Sequence, residues 1–135
     1  MHYVQLSEQT PLLRLDRIHK AFGSHVVLNG ISLELARAEI VALVGQSGSG
    51  KSTVAKIVAG LESVNQGSLH FDGQPLGPRR SHTLRRRIQM VFQDPFGSLN
   101  PVHTILHHIA RPLRLHKICS ESDIRRTVST LLETV

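Results

Sequence analysis

Gly45-Gln46-Ser47-Gly48-Ser49-Gly50-Lys51-Ser52 decides how the rest of this 135-residue chain is read. It matches the spacing G-x-x-x-x-G-K-[ST] at every fixed position. A polyphosphate must be wrapped by backbone N–H groups at close range, and glycine lets a chain approach and turn that tightly. A helix starting there adds its unpaired N–H groups and the positive end of its dipole. In such a loop Lys51 reaches the β- and γ-phosphates, the Ser52 hydroxyl ligates a bridging Mg²⁺, and Thr53 bonds the α-phosphate. A chance Gly/Ser-rich loop would satisfy the pattern too, so the flanking context matters. Ile40-Val41-Ala42-Leu43-Val44 precedes it, short, continuously apolar and rich in branched residues. That composition predicts a central parallel strand buried on both faces. Residues 51–59 follow at helical spacing, with Val54, Ile57 and Val58 on one side and Gly60 as the stop.

Working outward, Leu13, Leu15 and Arg17 alternate with Arg14 and Asp16, predicting a half-exposed strand near residues 12–18. Val26-Val27-Leu28, Asn29-Gly30 and Ile31-Ser32-Leu33-Glu34-Leu35 read as strand, tight turn, strand. Residues 67–71, closed by Asp72-Gly73, predict another strand and turn. Residues 88–92 predict a second buried strand, ended by Asp94-Pro95. Beyond Pro101 the pattern becomes helical. A short helix over 104–110 is closed by Pro112. Ser120 and Asp123 are spaced as a capping box before a helix with Ile124, Val128, Leu131, Leu132 and Val135 on one face. Nothing after Val135 stops that helix. The expectation is therefore a fragment whose apolar face lacks its partner.

Composition narrows the class. Apolar residues make up 40% and charged residues 19%, the balance of a globular domain. The longest apolar run, residues 40–44, is far too short to span a bilayer, and the N-terminus lacks the basic start and apolar core of a secretory signal. A single cysteine, Cys119, excludes an intrachain disulfide framework and a cysteine-rich zinc site, which fits a reducing, cytoplasmic setting. The net charge of +6 favours phosphates of any kind, with Arg79-Arg80 and Arg85-Arg86-Arg87 as the densest cluster. No interleaved aromatics accompany that cluster, so it reads as a solvated basic face, and no direct nucleic-acid partner is expected. His103 and His107 are spaced i,i+4 as metal ligands can be, but no third ligand is in view and they read as a solvated helix face. Cys119, beside Lys117, reads as a packed thiol.

Several stretches together resemble the ATP-binding subunits of ABC transporters. They are the segment from Glu39 to Thr53, Ala59-Gly60-Leu61, Gly67-Ser68-Leu69-His70-Phe71-Asp72-Gly73, and Ile88-Gln89-Met90-Val91-Phe92-Gln93-Asp94-Pro95. The last is similar to the family's Q-loop region, with Gln93 at the loop glutamine. Its continuation, Phe96-Gly97-Ser98-Leu99-Asn100-Pro101, resembles the branch serving dipeptide, oligopeptide and nickel import. The resemblance implies an α/β P-loop NTPase core of the ABC ATPase type with antiparallel N-terminal strands and the start of a helical subdomain. The implied division is a tail over 1–11, a partial nucleotide-binding core over 12–95 and a truncated helical part over 96–135. It implies that ATP and Mg²⁺ are held by Gly45, Gln46, Ser47, Gly48, Ser49, Gly50, Lys51, Ser52 and Thr53. Phe22 would lie against adenine, Ser52 and Gln93 would meet the metal, and Lys51 and Gln93 would carry the catalytic contacts. It further implies a second ATP-binding subunit, transmembrane permease partners docking on the Q-loop and helical region, and a peripheral place on the cytoplasmic face of the membrane.

The sequence also departs from that pattern. Ala38 stands where the family usually has glycine, which predicts a turn of another shape. No Leu-Ser-Gly-Gly-Gln signature loop, no apolar strand running into Asp-Glu and no placed switch histidine occur. The expected behaviour is nucleotide binding without useful hydrolysis, as the N-terminal part of an importer ATPase. A stand-alone non-hydrolytic nucleotide-binding module is the alternative, and a different P-loop protein the third reading.

Overall fold

A computed structural model describes residues 10–94, 97 and 99–135. Most of the expected tail, and the residues Pro95, Phe96 and Ser98 quoted above, lie outside them. The chain divides into two compact units between Met90 and Val91.

The first unit is built on a four-stranded antiparallel sheet in the order β2-β1-β3-β4. Its strands are β1 (Leu13–Phe22), β2 (His25–Leu35), β3 (Gln66–Phe71) and β4 (Gln74–Pro75). β1 starts with the expected alternation, Leu13 and Leu15 inward, then shifts phase. Arg17 takes a positive φ of 47° at a register break between Leu15 and Ile18. The extra residue turns Ile18 and Lys20 inward instead of Arg17. Gly67 lies opposite, where a Cβ would overlap the carbonyl oxygens of Asp16 and Arg17. The bulge thus needs a glycine across from it.

The hairpin does not turn at Asn29-Gly30. β2 runs unbroken through that pair, and the two-residue turn is Gly23-Ser24, flanked by the Phe22–His25 pair. Gly30, at φ 71°, instead marks a second irregularity, between the pairs Ile18–Ile31 and Lys20–Leu28. An Asn-Gly pair supplies positive φ, and a bulge uses that as readily as a turn does. Asp72-Gly73 behaves as expected, with φ of 55° and 74° between β3 and β4. Asp72 there pairs with Arg87 at 2.9 Å and also with Arg37.

Helix α1 (Lys51–Ala59) lays Val54 and Ile57 into a core formed with Leu13, Leu15, Ile18, Leu28, Leu69 and Phe71. Gly60 ends it at φ 77°, its N–H donating to the Ile57 carbonyl. A short α2 (His82–Arg87) follows, capped by Ser81, whose hydroxyl accepts from the Leu84 N–H at 3.2 Å.

Two expected strands do not form. Residues 40–44 carry no regular structure, and Ile40 and Val44 are 97% and 93% exposed. Residues 88–92 are likewise irregular, with Val91 96% exposed. Apolar composition marks a segment for burial, but a strand also needs a neighbour for its N–H and C=O groups. No strand pairs with either segment among the described residues, so the expected parallel core is absent there and the described sheet is antiparallel. Val41 and Leu43 still turn toward Leu33, Val54, Val58 and Met90 around a cavity of about 370 Å³.

The second unit is a helix pair. α3 (Ile105–Leu115) begins at Thr104, whose hydroxyl accepts from the His107 N–H at 3.2 Å. Pro112 does not close it: the helix continues to Leu115, losing one backbone bond at the proline. Leu113, beyond the proline, and Ala110 are buried against Ile124 and Val128 of α4 (Ile124–Glu133), which offsets that loss. The capping box is not formed. The Ser120 hydroxyl bonds the Asp123 carboxylate instead of a backbone N–H, and a 3₁₀ turn over Glu121–Asp123 leads into α4. α4 stops at Glu133, and of its expected apolar face only Ile124 and Val128 are buried.

Ala38 overturns the expectation of a different turn. It keeps the glycine-like backbone, at φ 58°, while the Glu39 carboxylate accepts from the Ala36 N–H at 2.6 Å. A Cβ in the left-handed region costs about 1–2 kcal/mol. Ala38→Gly should therefore stabilise the first unit by about 1 kcal/mol in urea unfolding, after the added chain entropy of glycine is subtracted. A destabilised variant would show that the strain is relieved elsewhere.

Candidate functional site

The loop from Gly45 to Gly50 closes on its own lysine. The Lys51 ammonium donates to the Gly45 carbonyl at 2.8 Å, the Gln46 carbonyl at 2.6 Å and the Ser49 hydroxyl at 3.2 Å. The Ser49 N–H bonds back to the Gln46 carbonyl at 3.3 Å. Gly48 and Gly50 take φ of 80° and 90°, which bends the chain around that cation. Gly50 is buried, and a Cβ there would stand 2.6 Å from Leu28 Cδ2 and 3.1 Å from the Val27 carbonyl oxygen. A Cβ on Gly45 would lie 2.8 Å from the Ser49 hydroxyl. Of the three loop glycines, Gly50 is therefore demanded by space and by backbone turn together, and Gly48 by the turn alone.

Gly50 is also the N-cap of α1. It offers no side-chain cap, and the first turn contains no acidic residue. The first N–H groups of a helix have no intrahelical partner, and here no carboxylate competes for them. Ser52 is exposed and Thr53 half-buried on that turn. A cation held inside a glycine bend above an uncapped helix start suits a polyphosphate, so the residues present fit such a group. The structure thus brings Gly45 through Thr53 together in one loop and the first turn of α1.

Phe22, at the end of β1, is 47% exposed, with the Lys20 ammonium 4.6 Å from its ring centroid. Gln93 is exposed and belongs to the second unit, so its role rests on the sequence reading alone.

One structural support of α1 escaped the sequence reading. Arg80 looked like part of a solvated basic run, yet it is 7% exposed. Its guanidinium donates to the Ile57 carbonyl at 2.9 Å and the Val58 carbonyl at 3.4 Å, and also to the Gly77 carbonyl. It therefore caps the C-terminal end of the helix whose N-terminal end carries the loop, with burial drawing its pKa down. The only signal available was its place seven residues beyond the Asp72-Gly73 turn, which does not mark a residue for burial. Arg87 is also engaged, against the Phe71 ring at 4.7 Å and on Asp72. The basic cluster is thus partly spent on internal contacts.

Three histidines gather around the start of α3. His103 and His107 stack at 4.1 Å between ring centroids, and His108 meets both edge-on at 6.0 Å. Among the described residues no group of three His, Cys, Asp or Glu side chains is placed to hold a metal ion. Cys119 is half-buried against the α3–α4 core.

The ABC transporter family model matches residues 28–135. The chain belongs to the ABC transporter family. Curated relatives of this ABC chain include the methionine import ATP-binding protein MetN of Brucella abortus (strain 2308). It is 38% identical over 128 residues, which is 93% of this chain and 34% of the relative. The nickel import ATP-binding protein NikE of Escherichia coli (strain K12) is 40% identical over 119 residues, 84% of this chain and 44% of the relative. The chain thus spans less than half the length of these relatives. Among solved structures, the ADP conformation of MJ1267, an ATP-binding cassette of an ABC transporter, matches with a TM-score of 0.54. The match is at 25% identity and covers 58% of this chain and 31% of the other. The α/β P-loop NTPase class expected from the sequence is thereby shown, although its parallel strands are not formed here. No described helix is long and apolar enough to cross a membrane.

The histidine cluster has a pH consequence. Desolvation, then the charges of His103, His108, Arg111 and Arg114, hold the His107 pKa below the usual imidazole value. A histidine depressed in this way binds its proton more readily in the unfolded chain. The contribution of this group to stability is therefore full above about pH 6.5 and is lost as the pH falls toward its folded-state pKa. His107→Gln should lose less stability than the wild type on going from about pH 7 to about pH 5. Denaturant unfolding at the two pH values measures this, and parallel losses would remove His107 as the cause.

Proposed function

We propose that this chain binds MgATP and forms the N-terminal part of the energy-coupling subunit of an ABC importer. The observation that carries this reading is the Lys51 ammonium seated among Gly45, Gln46 and Ser49 at the uncapped start of α1. Bound phosphates would take over the lysine's hydrogen bonds from the loop carbonyls and accept from the free N–H groups of the helix. Ser52 would ligate Mg²⁺, Thr53 would bond the α-phosphate, and Phe22 would stack on the base. Gln93 would extend toward the metal and the attacking water.

The general base and the signature loop of the family are not among residues 1–135. Loss of a positioned base typically removes about 10²–10⁴-fold in rate, so binding without useful turnover is the expected activity of this chain by itself. Completed sites would need a second ATP-binding subunit, and coupling would need permease subunits docked on the Q-loop and helical region. That assembly would place the chain peripherally on the cytoplasmic face of the membrane. For the solute we favour peptides or nickel: residues 96–101 resemble that branch, and one relative is a nickel import protein.

Two substitutions test the site. MgATP at about 100 times its dissociation constant should stabilise the wild type by about 2.7 kcal/mol, and Lys51→Ala should abolish that gain in thermal unfolding. Undiminished stabilisation of the variant would refute the phosphate role. Phe22→Ala should weaken ATP several-fold while leaving inorganic tripolyphosphate unaffected. Equal losses for the two ligands would argue against stacking.

A further inference from the structure

Lys20 is the one lysine of the first unit that the fold buries, at 7% exposure. The phase shift at Arg17 turns it inward, away from the solvent that a strand lysine ordinarily seeks. Its ammonium has two partners. The Glu62 carboxylate lies 3.1 Å away, and the Phe22 ring centroid 4.6 Å away. Glu62 stands just beyond Gly60, in the segment that leaves the C-terminal end of α1. That segment holds β1 twice more. The Asn65 N–H donates to the His19 carbonyl at 2.9 Å, and the Asn65 side-chain oxygen accepts from the Ala21 N–H at 2.7 Å. Three consecutive residues of β1 are thereby tied to the exit of the helix that begins at Gly50, and Phe22 comes next.

We infer that Lys20 is a positioning residue for the nucleotide base: it braces one face of Phe22 and fixes that ring to the exit of the phosphate-loop helix through Glu62. This rests on the reading of Gly45–Thr53 and Phe22 as the nucleotide site. A cation over one face of a phenyl ring is held there by the ring's quadrupole, more strongly when desolvated. It occupies that face and restricts rotation of the ring, so a base can stack only from the remaining side. It also draws electron density from the ring, which favours a flat, electron-rich heterocycle as the stacking partner. The phosphate end of the nucleotide touches none of these groups. The signature of Lys20 is therefore selectivity: it acts on ligands that carry a base and leaves those without one alone.

The experiment compares MgATP with inorganic tripolyphosphate on the full 135-residue chain by calorimetric titration. Lys20→Met keeps the aliphatic stem and removes the charge. It should weaken MgATP by roughly three- to tenfold and change tripolyphosphate by less than about twofold. Lys20→Arg, which restores a cation over the ring, should recover most of the loss. Should Lys20→Met fail to fold, Glu62→Gln carries the same test, because it removes the tether and keeps the cation; a selective loss of about twofold for MgATP is then expected. MgATP affinity equal to the wild type, or parallel losses for both ligands, would overturn the inference and leave the phosphate site standing. A wild-type chain that binds neither ligand would instead overturn the nucleotide reading on which the inference depends.

Discussion

A side chain at position 50 has no room, and the site depends on that. Leu28 and the Val27 carbonyl occupy the space, so only glycine lets the start of α1 settle on β2. The same residue turns the backbone at φ 90° and releases the helix without a side-chain cap. One constraint therefore sets where the helix begins, which way its free N–H groups face and how the preceding loop folds over Lys51. Burial of Val54 and Ile57 in the sheet core holds the rest of the helix to that placement.

The helix is secured at its other end by charge. Arg80 donates to the Ile57 and Val58 carbonyls near the end of α1, and Lys20, Glu62 and Asn65 fasten the following segment to β1. A nine-residue helix is marginal by itself, so its rigidity must come from tertiary contacts. A positive group at the carbonyl end and an anion at the amide end act on the same dipole with the same sign. The ends of α1 are thus electrostatically complementary to one another, although one is buried and the other open.

Local chemistry was legible in the sequence wherever the determinant was local. The phosphate-loop spacing, the Val54–Ile57 face, the stop at Gly60 and the Asp72-Gly73 turn all follow from residues within one turn of each other. What could not be read depends on partners distant in sequence. Asn29-Gly30 advertises positive φ without saying whether a turn or a bulge uses it. Pro112 reads as a helix end until the burial of Leu113 against α4 is counted. Arg80 reads as solvent-facing until the exit of α1 brings it inside, and nothing beside Lys20 in the sequence announces the bulge at Arg17 that buries it. Residues 40–44 and 88–92 have the composition of inner strands, and composition does not supply a neighbour.

The unpaired stretch at 40–44 gives the chain a liability in solution. Five consecutive branched or small apolar residues, with no charge or proline and no strand paired to them among the described residues, are what intermolecular β-stacking selects. At high concentration such a stretch recruits its own kind and favours self-association into insoluble sheets. In the cell it is the sort of surface that chaperones hold. A strand paired along these five residues would remove that liability.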